Sequence, residues 1–145
     1  MALLDYASDN EHWTIDARRW PVVVVTGHAG MMQDDVVKSS LKHAAEILRA
    51  REGTFAMVHD GRSTMAVPPQ QRRMFAEAQR DPIYQRCRGN AFVLDSVLMH
   101  GVMQAIYWMQ RQPAPHRVFS QLEPAVAWAR ISCGAAPRPS NHRES

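Results

Sequence analysis

The 145-residue chain is 46% hydrophobic and 21% charged, a size and balance that suit one globular domain with its own apolar core and exclude wholesale disorder. Its net charge is +3 with histidine neutral, unevenly placed: Asp5, Asp9, Glu11 and Asp16 give the first 16 residues −4, leaving +7 on the rest. Lys38 and Lys42 are the only lysines, so the basic charge is nearly all guanidinium, which holds carboxylate or phosphate groups bidentately.

Cys87 and Cys133 lie too far apart in sequence for paired metal-ligand spacing, and no signal-peptide pattern opens the chain; a reducing cytoplasm is the expected location, without disulfides. No apolar run approaches the roughly 20 residues of a membrane span, so none is expected.

Residues 12–16, His-Trp-Thr-Ile-Asp, alternate weakly and predict a first strand. After a turn at 18–21, residues 22–26 form a β-branched run ending at Gly27, the pattern of a strand buried on both faces, and the short link predicts an antiparallel hairpin. Gln33 or Asp34 is placed to cap a helix on which Val37, Leu41, Ala44 and Leu48 recur at spacings of four, three and four; it runs to about residue 51, with Gly53 ending it. Residues 54–59 predict a short apolar strand, and Asp60-Gly61 a loop. Pro68 and Pro69 suit the first turn of a helix that carries Met74, Phe75 and Ala78 inward and stops before Asp81-Pro82.

Residues 91–94 read as another buried strand, ending at Asp95-Ser96, and 97–111 as a helix apolar around most of its circumference. Residues 117–119 predict the last strand. Ser120 and Glu123 have capping-box spacing ahead of a final helix with Leu122, Ala125, Val126 and Ala129 inward. From Cys133 onward the composition reads as a flexible tail, 133–145, behind a single domain of residues 1–132. The order β-β-α-β-α-β-α-β-α predicts an α/β fold: one mixed, mostly parallel sheet with an antiparallel N-terminal edge strand, flanked by about four helices.

Two stretches carry a resemblance. Arg117-Val118-Phe119-Ser120-Gln121-Leu122-Glu123-Pro124-Ala125-Val126-Ala127-Trp128 is similar to the closing strand and helix of the STAS-like family, typified by sporulation anti-sigma-factor antagonists, and especially its divergent bacterial STAS/Sec14-like group. Ala91-Phe92-Val93-Leu94-Asp95-Ser96 resembles the preceding strand and loop, and the likeness covers about residues 12–131. The resemblance implies a non-enzymatic, regulatory domain without cofactor that binds protein partners, with some relatives binding nucleotides or lipids. Family members of the best-known type are switched by phosphorylation of a serine in an Asp-Ser-Ser-Gly loop after the strand equivalent to 54–59. Here that loop reads Asp60-Gly61-Arg62-Ser63-Thr64: Asp60 and Ser63 stand in for the motif, although the adjacent Asp-Ser pair and following Gly are missing. Asp60, Arg62, Ser63 and Thr64 are therefore the candidate switch or partner-binding loop.

Parallel strands share one C-terminal edge, where α/β folds bind ligands, and that edge would gather His28, His59, Asp60, Asp95 and Ser96. Two His and two carboxylates suffice in type for acid/base work, and the same residues serve equally as turn formers; no metal site is assigned. Gly27-His28-Ala29-Gly30 lacks the length, Lys and Ser/Thr of a phosphate loop. Residues 62–88 carry Arg62, Arg72, Arg73, Arg80, Arg86 and Arg88 against Glu77 and Asp81, a local +4; with no recognised module or interleaved aromatics this reads as a solvated face, and no nucleic-acid partner is expected.

Three readings follow: a regulatory partner-binding domain, a carrier with a small apolar ligand beneath the Met-rich helix at 97–111, and a hydrolase-like enzyme using His28, His59 and Asp60. On that helix one buried face needs Leu98, Val102, Ala105, Ile106 and Met109, which leaves Met99, Met103 and Trp108 as a candidate homodimer surface.

Overall fold

The computed structural model describes residues 7–9, 13–27, 33–63, 67–108 and 114–134. Its six strands lie in chain order: β1 (Ala7–Asp9), β2 (Trp13–Asp16), β3 (Val22–Gly27), β4 (Phe55–Asp60), β5 (Cys87–Val93) and β6 (His116–Phe119). β1–β2 and β2–β3 pair antiparallel, and the pairs from β3 to β6 are parallel. Four helices complete the α/β fold: α1 (Asp34–Arg49), α2 (Pro69–Ala78), α3 (Val97–Trp108) and α4 (Leu122–Ser132). The antiparallel edge is β1, outside the expected first strand. Its three residues, Ala-Ser-Asp, have no alternation to read.

Crossovers between neighbouring parallel strands of one hand place successive helices on one face, and the packing follows that rule. Val23 and Val25 of β3 and Phe55 and Met57 of β4 pack with Ala44, Ala45, Ile47 and Leu48 of α1. Phe92 of β5 lies on the same face, with Ala76 of α2 and Met99 and Val102 of α3. The alternate residues Val22, Val24, Ala56, Val58, Ala91 and Val93 face α4, against Ala125, Val126 and Ala129. A strand with helices on both sides buries every side chain, which is why 22–25 is an unbroken valine run. Each fully buried side chain of this size contributes about 1.5–3 kcal/mol.

Several ends differ from expectation. Neither Gln33 nor Asp34 caps α1 by its side chain; the Gln33 carbonyl accepts from Val36 and Val37 N–H at 3.0 Å each. At the other end the helix stops at Arg49, and Gly53, at φ +90°, sits in the turn beyond. The carbonyls there are held by Arg86, which donates to Arg51 at 2.7 Å, Gly53 at 2.9 Å and Leu48 at 3.4 Å. Arg86 ends an unexpected 3₁₀ turn, Pro82–Arg86, opened by the Asp81 carboxylate accepting from Ile83 N–H. No capping box forms on α4, whose N-cap is Gln121 without a side-chain bond. On α2 the inner residues are Gln71 and Ala76 rather than Met74 and Ala78. Cys133 belongs to the domain rather than the tail: it is buried against the α4 core and its carbonyl accepts from Thr54.

β5 begins four residues earlier than expected, with Cys87 paired to Phe55 of β4, and α4 crosses it closely at Gly89. A Cβ on Gly89 would lie 2.5 Å from Ser132 Oγ and 3.3 Å from the Trp128 ring. Gly89→Ala is expected to cost about 1–3 kcal/mol through overpacking, read by urea unfolding. Adding Ser132→Ala removes the nearer clash and is expected to recover part of that loss.

Candidate functional site

The C-terminal edge of the sheet is where the sequence placed the site, and the loop after β4 is its best-formed part. Gly61 N–H extends the ladder to the Val93 carbonyl at 2.9 Å. Asp60 is the last residue of β4 and 8% exposed. Its Oδ1 accepts from Arg62 N–H at 3.2 Å and Arg62 Nε at 2.9 Å, and its Oδ2 from Arg62 NH2 at 2.7 Å. Burial alone would push the Asp60 carboxyl up; the hydrogen bonds and charge of Arg62 outweigh it and hold the group below the usual aspartate value. Arg62 is held above its ordinary value by Asp60, with Asp95 adding a smaller push. The result is a turn fixed at its base, with Arg62 and Ser63 exposed.

His59 is next to Asp60 in sequence and on the other side of the sheet, since successive strand residues point to opposite faces. Its ring stacks on Phe92, 4.8 Å between centroids, and Phe92 meets His116 edge-on at 6.3 Å. His59 Nε2 donates to Oδ1 of buried Asn90 at 2.9 Å. Burial lowers the His59 pKa, and the Asn90 bond only partly opposes this. The imidazole is therefore neutral, half-buried at the edge of the core beneath α2 and α3. The proposed hydrolytic pair His59 and Asp60 is not brought together, because β4 itself stands between the two side chains.

Ser96 caps α3, its Oγ accepting from Met99 N–H at 3.1 Å. Asp95 is exposed at the same edge. Met99 and Val102 (4% exposed each) face the sheet against Phe92 and Leu94, with Met103 packed beside them. Met99 thus fills the space under α3 and is not a dimer surface; Val97 and Leu98, at 90% and 65% exposure, point outward instead. His28, Thr64 and the side chain of Trp108 lie outside the described residues.

The arginine stretch is mostly committed to the protein itself. Arg62 binds Asp60, Arg72 the Val67 carbonyl, Arg86 the end of α1, and Arg88 the Gln85 carbonyl. That leaves Arg73 and Arg80 as the two of the six without such a bond among the described residues, while Arg62 and Arg88 are exposed although bonded. Among the described residues no group of three His, Cys, Asp or Glu is placed to hold a metal ion, and no helix is long and apolar enough to cross a membrane.

Sequence reading missed a second feature, a cleft of about 900 Å³ between α1 and α2. Leu41 and Ala45 line one wall, Met74 and Ala78 the other, and Tyr84 one end. Leu41 falls on the helix face read as core; only the neighbouring helix makes it part of a wall. No protein-family model matches the chain, and no curated protein or solved structure matches it.

Proposed function

We propose that this chain is a STAS-like, non-catalytic regulatory domain that works in the cytoplasm by binding a protein partner through the loop after β4. The observation that carries the reading is the exposed Ser63 on a turn fixed by the Asp60–Arg62 pair. Such a turn presents a hydroxyl and a guanidinium to a partner while its base stays anchored in the sheet. Phosphate on Ser63 would bring about −2 of charge beside Arg62, enough to compete with Asp60 for the guanidinium and change the surface offered. The separation of His59 from Asp60 by the strand favours this reading over the hydrolytic one, and the packing of Met99 and Val102 onto Phe92 and Leu94 favours it over a ligand carrier with its pocket under α3.

The test is a quantitative comparison of the proteins held by immobilised wild-type chain, Ser63→Glu and Arg62→Ala, all three with matched thermal midpoints. Both variants are expected to change retention of a specific protein by roughly tenfold. The same set held equally by all three, or nothing held by the wild type, overturns the proposal.

A further inference from the structure

Asp60-Gly61 is the only Asp-Gly step in the chain, and there is no Asn-Gly. Asp-Gly is the aspartyl sequence most prone to isomerise, because glycine has no Cβ to hinder its nitrogen from reaching the preceding side chain. In that reaction the Gly61 nitrogen would bond to Asp60 Cγ, and one carboxyl oxygen would leave as water, taking the amide proton and the carboxyl proton. Water then opens the five-membered imide. Opening at Cγ restores aspartate; opening at the main-chain carbonyl leaves isoaspartate, with the backbone running through Cβ and Cγ. One water leaves and one returns.

The fold opposes each requirement of ring closure. Gly61 N–H is donated to the Val93 carbonyl at 2.9 Å, so its proton is held and the peptide stays in the sheet until that bond breaks. Both carboxylate oxygens are occupied by Arg62: Oδ1 by its N–H at 3.2 Å and Nε at 2.9 Å, Oδ2 by Nη2 at 2.7 Å. Burial favours the protonated carboxyl, but these bonds and the arginine charge outweigh it and keep the group ionised, a form that is a poor electrophile. The glycine is itself held in place by packing, since a Cβ there would press on Leu94 Cδ2 at 3.0 Å. Asp60 is buried, Gly61 half-buried and Arg62 exposed. The guard is the most accessible of the three residues.

We infer that Asp60-Gly61 is a covalent modification site, a latent isoaspartate site whose rate is set by Arg62: closed while the guanidinium clasps Asp60 and open when it is drawn away. Isomerisation adds one backbone carbon at the last residue of β4. The added atom moves Gly61 N–H off the Val93 carbonyl and unseats the turn that carries Arg62 and Ser63. Loss of Arg62 from Asp60 thus starts a chemical clock on the loop. No partner takes part in the reaction, so its outcome is independent of whether the loop binds a protein.

The test ages full-length wild type, Arg62→Ala and Gly89→Ala at neutral pH and physiological temperature, beside wild type unfolded in guanidinium chloride. Peptide mapping reads the product, because Asp60 is the only aspartate between Arg51 and Arg72 and the isoaspartyl peptide separates from the aspartyl one at equal mass. Native wild type is expected to form isoaspartate about tenfold more slowly than the unfolded chain, and Arg62→Ala about tenfold faster than native wild type. Gly89→Ala, which strains the start of β5 without touching Asp60, is expected to keep the wild-type rate. Equal rates in native and unfolded wild type overturn the inference, as does Arg62→Ala ageing no faster than wild type. So does Gly89→Ala ageing as fast as Arg62→Ala, since the site would then follow global unfolding. Asp60→Glu is expected to give no isomer in this peptide, its side chain being one carbon too long for the five-membered ring; a second equal-mass peak there assigns the signal elsewhere and overturns the inference too.

Discussion

Phe55→Ala is expected to lose about 3–5 kcal/mol of unfolding free energy, the largest effect of any single substitution considered for this chain. Phe55 has no exposed surface and is the largest fully buried side chain among the described residues. Its ring sits 5.8 Å from Trp20 and 6.4 Å from Tyr84, and it shares a cluster with Ala44, Ile47 and Leu48 of α1. Truncation leaves a void bounded by a sheet and a helix, neither of which collapses easily. The void also removes the surface that holds Tyr84 at the end of the cleft between α1 and α2. Equilibrium urea unfolding measures the loss; a value under about 1 kcal/mol would mean that Trp20 and Tyr84 swing in to fill the gap.

Acid is expected to destabilise the protein through His59. Its pKa is lowered in the folded state, first by burial, with the Asn90 bond opposing. The unfolded chain then takes up the proton first, so the stabilisation is complete above the ordinary histidine pKa near 6.5. It is lost as pH falls from there toward the lower folded value, with a slope of up to about 1.4 kcal/mol per pH unit. Asp60 acts in a different window: its carboxyl is also held below its ordinary value, so its contribution is present above about pH 4 and disappears only in stronger acid. His59→Gln is expected to flatten the stability curve between roughly pH 7 and 5 and leave the more acidic limb in place. Parallel wild-type and His59→Gln curves across that range would show that the imidazole takes its proton without leaving the core.

What was legible in the sequence was local. The valine run at 22–25 and the α1 periodicity report burial within one element, and topology rules turned the element order into a mostly parallel sheet. β1 was illegible because three residues owe their conformation to the edge of β2. The first residues of β5, Cys-Arg-Gly-Asn, look like a loop until they pair with Phe55 and Met57 of β4. The rotation of α3 was illegible because apolar residues cover most of its circumference; packing on Phe92 and Leu94 puts Met99 inward and leaves Leu98 outward. At the site, Asp60 and Arg62 were named but their mutual bonds were not, because an aspartate two residues before an arginine is common in solvated loops. Asn90, the partner of His59, fell one residue before the expected strand. The cleft was out of reach altogether, since its two walls come from helices with a strand between them in sequence.

β4 works as a partition with a parity. Odd positions Phe55, Met57 and His59 belong to the compartment of three helices, and even positions Ala56, Val58 and Asp60 to the compartment of one. Inserting or deleting one residue in the strand would exchange the two sets downstream of the change. The imidazole would arrive on the α4 side and the carboxylate with its arginine in the apolar space under α3, where no counter-charge waits. Lengthening by two keeps the parity but pushes the Asp60 turn past the Val93 carbonyl that receives Gly61. The strand therefore tolerates exchange of side chains far better than any change of count, and variants that survive selection at this edge are expected to be substitutions, with indels confined to the far side of Ser63.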